Sequence, residues 1–306
     1  MPAIAVGCSE SDVSSISLID RLILCFGNSE RCEVAKMPLT IELTANTSIP
    51  LEVEGITPCS VRELDLAAIQ KMEIFEGNNK TTLADFFKVT GDPSDEEMRF
   101  VGELSGVHWI GTKMSSGQIT IDGNVGRHVG SEMSGGRIDV NGDVSDWAGA
   151  EMKGGTIHVH GRAGHLVGSA YRGSAAGMRG GTILVDGDAG NEIGHSMRRG
   201  TIAIGGSIGD LAAFNMLAGT ILIGGEVGIR HGAGMKRGTL VFLSEDRPEL
   251  LPTFTSGGRQ QPLVMTVLRR EMEKVGYNKS DLLQAEFDLY HGDQIEGGRG
   301  EILVRV

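Results

Sequence analysis

Apolar residues along the middle of the chain follow two superposed periods. The short period is two: Ile119/Ile121, Ile138/Val140, Ile157/Val159, Ile183/Val185, Ile202/Ile204 and Ile221/Ile223 are β-branched pairs separated by one residue. That is the alternation of a strand with one buried face, not of a helix. The long period is 19. Methionines stand at 114, 133, 152, 178, 197, 216 and 235, in steps of 19 apart from one of 26 between Met152 and Met178. The third residue after each Met is glycine, from Gly117 to Gly238, and the ninth is glycine in six units, from Gly123 to Gly225. Glycine at that density is incompatible with helices. A fixed period of this length means stacked supersecondary units. The pattern therefore predicts an all-β solenoid. It is a right-handed parallel β-helix of about seven 19-residue coils, with strands stacked at ~4.8 Å.

The faces follow from the alternation. The Ile/Val pairs point inward, as do Val125, Val144, Ala163, Ala189, Ile208 and Val227, and the set Val129, Ala148, Val167, Ile193 and Ala212. The Met column fills a corner; thioethers repeated once per coil are core filler rather than a soft-metal site. The outward column reads Thr120, Asp139, His158, Leu184, Ala203, Leu222, Val241. It turns from polar to apolar at the fourth coil, and a face left in water stays polar. The later coils are therefore covered: the C-terminal helix, or the chain after it, is expected to pack there, with another subunit as the competing possibility. Leu184 and Leu222 become candidate interface residues.

The flanks differ from the repeats. Residues 100–243 hold the β-helix and 37–99 an N-terminal capping region. In that region Leu39–Leu43 and Leu51–Val53 read as strands. Val61–Met72 reads as a short helix capped by Ser60, and Thr82–Val89 as a compact apolar element. Residues 244–306 contain an amphipathic helix within Pro262–Val275. Val264, Val267, Leu268, Met272 and Val275 fall near one face and Leu263 at its edge, and Glu301–Val306 follows as a strand. Residues 1–36 are unlike the rest and lack the marks of a secretory signal. Met37 opens a natural beginning, so 1–36 read as a non-family extension, either a mis-called start or a disordered tail. The step of 26 inserts seven residues within about 169–177, expected as a surface loop in which Tyr171 and Arg172 are candidate contact residues.

Composition narrows the function. Forty-six glycines beside 40% hydrophobic residues argue for tight backbone positions rather than disorder. A net charge of −12 argues against nucleic acid or an anionic membrane as partner. No apolar run is long enough to span a bilayer. Three of the four cysteines lie in the first 36 residues and none forms a CxxC, which suits a reduced cytoplasmic protein.

Candidate chemistry is sparse. There is no phosphate loop, CxxC or HExxH, and Ser169 and Ser174 lack a nucleophile elbow, so no catalytic residue is assigned. His158-Val159-His160 places two imidazoles on one side of a strand, as in HxH metal sites. On an outward face they read as a solvated surface pair, and no metal is assigned. His128, His165, His195 and His231 fall at different places in the repeat and read as separate surface or packing residues. A basic corner lies beside the Met column: Arg179, Arg198, Arg199, Lys236 and Arg237. Either it binds an anionic group, or it is a solvated edge that discourages aggregation.

The repeats Met-Ser-Gly-Gly-Arg-Ile-Asp-Val-Asn-Gly (133–142) and Met-Lys-Gly-Gly-Thr-Ile-His-Val-His-Gly (152–161) carry a specific resemblance, joined by Leu83-Ala84-Asp85-Phe86-Phe87 and Met197-Arg-Arg-Gly-Thr-Ile. Over about 37–306 the chain resembles the C subunit of formylmethanofuran dehydrogenase and of the related formyltransferase/hydrolase complex. The repeats alone resemble the C-terminal domain of the large glutamate synthase subunit, which supplies the alternative of a structural module bridging domains of another enzyme. The first resemblance implies a non-catalytic scaffold of a one-carbon formyl-transfer complex, bound to subunits of A, B and in some cases D type. It implies a methanofuran-type carrier, with tetrahydromethanopterin as formyl donor in the hydrolytic pathway, and a molybdenum or tungsten pterin on another subunit in the dehydrogenase. The carrier's glutamate-rich tail is then one candidate ligand for the basic corner.

Overall fold

The strands of successive units pair side by side, in parallel, without slipping. The structure, a computed structural model, describes residues 37–306 apart from residue 46; the expectation for 1–36 lies outside these residues. Each repeat contributes one strand: β8 (Gln118–Asp122), β9 (Arg137–Val140), β10 (Thr156–Val159), β11 (Arg179–Val185), β12 (Arg199–Ile204), β13 (Thr220–Ile223) and β14 (Gly238–Phe242). Ile119 pairs with Ile138, Ile138 with Ile157, Ile157 with Ile183, Ile183 with Ile202 and Ile202 with Ile221. The register therefore survives the seven-residue insertion between β10 and β11. The paired Ile/Val residues and all seven methionines of the column are fully buried.

The ladder extends past the repeats at both ends. Before it stand β1 (Leu39–Leu43), β2 (Leu51–Glu52), β3 (Glu73–Glu76), β4 (Asn79–Thr82), β5 (Phe87–Thr90), β6 (Glu97–Val101) and β7 (Val107–His108). After it stand β15 (Thr255–Gln260), β16 (Phe287–Gly292) and β17 (Gly300–Arg305). β1 pairs in parallel with β6 and β6 with β8, while β17 adds in parallel to β14. β5 closes one side antiparallel to β1, and β16 and β15 follow β17 antiparallel on the other. The result is a 13-stranded, mainly parallel sheet, beside a four-stranded sheet in the order β4-β3-β2-β7.

Hydrogen bonds between repeats continue outside the strands. The N–H of Gly149 donates to Val129 O, Gly168 to Ala148 O and Gly194 to Val167 O, each at 2.8 Å. The N–H groups of Arg198, Leu217 and Lys236 donate to Met178, Met197 and Met216 carbonyls, again at 2.8 Å. Asp143 Oδ1 accepts from Arg162 N–H at 2.8 Å, Asp188 Oδ1 from Ser207 N–H at 2.7 Å and Asp210 Oδ1 from Ile229 N–H at 2.9 Å. Short polar side chains thus satisfy amides that the ladder leaves over.

Among the described residues, four short α-helices complete the fold: α1 (Pro58–Val61), α2 (Leu66–Gln70), α3 (Leu83–Phe86) and α4 (Leu263–Val275). The single helix expected over Val61–Met72 is broken in two. Ser60 is not its cap but lies inside α1, its Oγ accepting from Thr57 N–H at 3.0 Å, and Asp65 restarts the chain by accepting from Ala68 N–H at 2.7 Å. Thr82–Val89 divides into α3 and the start of β5.

α4 ends at Gly276, whose φ of +89° suits a residue without Cβ. Its inner face carries Met265 and Met272, with Leu268 and Val275 partly buried beside them. Leu263, Val264 and Val267 are exposed, the last two at 59%. The buried stripe is therefore rotated from the expected one. The helix and the chain after it, through Tyr277, Leu283, Phe287, Leu289 and Leu303, form a second core with Leu184, Ala203, Leu222 and Val241. Tyr277 O–H donates to Ile204 O at 3.1 Å. The apolar column is covered by the chain itself. Leu184 and Leu222, candidate interface residues in the sequence, are fully buried beneath this cover and offer no surface to a partner.

Two pairs of substitutions test this packing. Gly206 is not in the left-handed region, but a Cβ there would lie 2.3 Å from Asp188 Oδ1 and 2.6 Å from Gly187 C in the preceding repeat. Gly206→Val is expected to cost about 3 kcal/mol or more in denaturant unfolding, against under about 0.5 kcal/mol for Thr201→Val. Met272→Ala is expected to cost about 2–5 kcal/mol and Val267→Ala a small fraction of that. Equal midpoints within either pair would contradict the register or the helix orientation.

Candidate functional site

The least ordinary side-chain cluster lies at one corner of the early repeats. Trp109, His128 and Trp147 are spaced by 19 residues, so each occupies the same place in its unit. All three have positive φ, at 69°, 66° and 69°. Left-handed backbone costs a non-glycine residue roughly 1 kcal/mol. Here each N–H donates to the following unit, Trp109 to Arg127 O at 3.0 Å, His128 to Asp146 O at 3.1 Å and Trp147 to His165 O at 2.9 Å. The rings are thereby held in a row. Trp109 and His128 stack at 3.9 Å with planes 9° apart, and His128 and Trp147 at 6.1 Å.

The insertion completes this cluster. Tyr171 does not project with a free loop. Its ring stacks on Trp147 at 5.0 Å, its hydroxyl donates to Ser131 Oγ at 2.9 Å, and His128 Nδ1 lies 2.9 Å from the same oxygen. Burial pushes the Tyr171 phenol up to about 12, so it stays protonated. Arg172 beside it is exposed. A cavity of about 200 Å³ opens at this point, lined by Trp147, Leu166, Tyr171, Arg172, Glu192 and His195 among others. Burial first, then the positive charges available to His108 and Arg127, lower His128 to about 4. The imidazole is therefore neutral near pH 7 and can stack as an apolar ring.

The other histidines are less separate than expected. His108 and His165 share a column, and their Nδ1 atoms accept from Arg127 N–H and Asn191 N–H of the next units, each at 2.9 Å. His231 is buried against Phe242, and His195 Nδ1 lies 3.0 Å from Glu192 Oε2. His158, expected to be solvated, is only 6% exposed; of that pair His160 alone faces water. The residues of the expected basic corner lie at or just before the starts of β11, β12 and β14. Arg179 pairs with Arg199 across adjacent strands, Arg198 and Arg237 are exposed, and Lys236 Nζ lies 3.6 Å from Glu296. The aromatic row was legible in the 19-residue spacing of Trp109, His128 and Trp147, but the arrival of Tyr171 from the insertion was not.

No family model matches the chain. Among curated proteins, the C subunit of molybdenum-containing formylmethanofuran dehydrogenase 1 from Methanothermobacter thermautotrophicus is 42% identical over 79 residues, 26% of this chain and 20% of that protein. The C subunit of tungsten-containing formylmethanofuran dehydrogenase 2 from Methanothermobacter wolfeii is 41% identical over 85 residues, 26% of this chain and 32% of that protein. The chain thus spans about a fifth to a third of the length of these relatives. A chain in the crystal structure of the formyltransferase/hydrolase complex from Methylorubrum extorquens with methylofuran superposes with a TM-score of 0.82 at 32% identity. The superposition covers 87% of this chain and 99% of that one. The chain belongs to the C-subunit family of these formyl-transfer enzymes. No helix among its described residues is long and apolar enough to cross a membrane.

The neutral imidazole between two indoles has a pH signature. In the unfolded chain a histidine takes up its proton near pH 6.5, whereas folded His128 resists it until about 4. Above 6.5 neither state is charged and His128 contributes no pH dependence. As pH falls from 6.5 to 4 the unfolded state gains a proton that the folded state lacks, and stability is lost. His108 and His231, also lowered by burial, add to the same slope. The thermal midpoint is expected to fall across that window, and His128→Asn to flatten the fall in part. Fluorescence from Trp109 and Trp147 reads it directly; a slope identical in wild type and variant would remove His128 from the explanation.

Proposed function

We propose that the chain is a non-catalytic scaffold subunit of a one-carbon formyl-transfer complex, of the kind that handles formyl groups on a methanofuran-type carrier. The observation that carries this reading is the superposition over 99% of a chain of the formyltransferase/hydrolase complex. That coverage favours the hydrolytic complex over the dehydrogenase, since the match to the dehydrogenase relatives is confined to part of their length. The glutamate-synthase-like alternative has no counterpart among these relatives.

In this reading the parallel strands and the bonds between units form seven coils of a right-handed parallel β-helix over 100–243, capped by 37–99 and closed by 244–306. The carrier, and the molybdenum or tungsten pterin of a dehydrogenase, belong to subunits of A, B and D type. The protein works in the cytoplasm. Tyr171, Arg172 and the row Trp109–His128–Trp147 form the contact with one partner. Two tryptophans, a tyrosine and an arginine around a small cavity are the residue types that dominate binding energy at interfaces. Arg179, Arg198, Arg199, Lys236 and Arg237 meet an acidic partner surface or the carrier's glutamate-rich tail.

Purification of the native complex, followed by mass spectrometry and metal analysis, tests the assignment. Formyltransferase-type subunits without molybdenum or tungsten are expected. Either metal in stoichiometric amount would assign the dehydrogenase, and isolation without any such subunit would overturn the scaffold reading. With partners co-expressed, Trp147→Ala with Tyr171→Ala is expected to weaken assembly by at least about thirtyfold, the equivalent of about a 2 kcal/mol hot spot. Unchanged recovery of every partner would remove this corner from the interface.

A further inference from the structure

A second cluster lies where the outward column passes from polar to apolar. His158 and His160 project from the same side of β10 and its end, between Asp139 of β9 and Asp186 just beyond β11. His158 Nε2 is 3.1 Å from each oxygen of Asp186, and His160 Nδ1 is 2.9 Å from Asp186 Oδ2. One ligand atom each from Asp139, His158 and His160 also fall within 4.8 Å of one another. Two imidazoles and the Asp139 carboxylate therefore converge from two adjacent repeats, and Asp186 of the next repeat is hydrogen-bonded to both imidazoles. Donors bound tetrahedrally at about 2.0–2.1 Å are about 3.3 Å apart, so a modest contraction of the Asp139, His158 and His160 group closes it on an ion.

The surroundings suit a bound cation better than a solvated pair. His158 is almost wholly enclosed, and Gly276, just after α4, sits over its ring edge, where an added Cβ would lie 4.0 Å from Cε1. His160 leaves the cluster open to solvent on one side. Arg137 donates to both oxygens of Asp139, at 2.7 Å and 2.5 Å, which fixes that carboxylate from behind as outer partners of ligating carboxylates do. Solvation of the histidine pair would argue against a metal, and the burial of His158 removes that argument.

We propose that Asp139, His158 and His160 bind one divalent transition-metal ion, with Zn²⁺ the best match to two imidazoles and a carboxylate and no thiolate, and with Asp186 holding both imidazoles in place from outside. The ion ties two successive repeats together directly, and a third through Asp186, at the place where the C-terminal segment begins to cover the sheet. It is a structural ion, independent of the partner contact at Tyr171 and of the formyl-transfer reading.

Titration of the full chain, stripped with a chelator, tests this by calorimetry with Zn²⁺ and by visible absorption with Co²⁺. One ion per chain is expected, with a tetrahedral Co²⁺ spectrum and a raised thermal midpoint in Zn²⁺. His160→Ala changes an exposed side chain and Asp186→Asn preserves shape; each is expected to weaken binding at least about tenfold while the apo protein unfolds cooperatively. Absence of one-to-one binding would overturn the proposal. So would full affinity in both variants, which would place the ion elsewhere.

Discussion

Every repeat depends on the backbone of its neighbours. A 19-residue unit with one strand of four to seven residues cannot satisfy its own amides and carbonyls. They are met by the units before and after, in the strands, at the Met carbonyls and at the glycines. An unpaired buried amide costs about 1–3 kcal/mol, so a change of register multiplied over a whole turn of chain is prohibitive. This one constraint accounts for the constancy of the spacing, for the glycines where backbones approach, and for the insertion lying where it leaves the pairing of β10 with β11 intact.

Stacking of this kind leaves two exposed sheet ends and an outer face. At one end β5 turns antiparallel against β1, and at the other β17, β16 and β15 continue the sheet with a mixed direction. The outer face is treated unevenly. Across the first three repeats it carries Thr120, Asp139 and His158; across the last four it is apolar and sealed under α4 and the segment through Leu289. The C-terminal segment is therefore integral to the sheet, and the polar-to-apolar boundary at His158 is an internal joint.

This architecture separates fold from function. The inward residues serve packing alone, and the chemistry-bearing side chains are distributed on corners and at the joint. Trp109, His128, Trp147 and Tyr171 present aromatic edges around a small cavity, while His158, His160, Asp139 and Asp186 gather polar donors beneath α4.

The sequence by itself determined the repeat, its strand, the buried faces of that strand and the Met column, because these depend on spacings of 2 and 19 that any single unit repeats. It also carried the family resemblance and the need for something to cover Leu184, Ala203, Leu222 and Val241. Tertiary structure decided what the cover is, because an apolar column is satisfied equally well by a helix of the same chain or by another protein. It decided the helix face as well, since Met265 rather than Val264 or Val267 turns inward when both spacings fit an amphipathic stripe. It brought Tyr171 back onto Trp147 and His128, and Asp186 against His158 and His160, across the 26-residue step. No local pattern encodes those meetings; they follow from stacking, which places residues distant in sequence one strand apart.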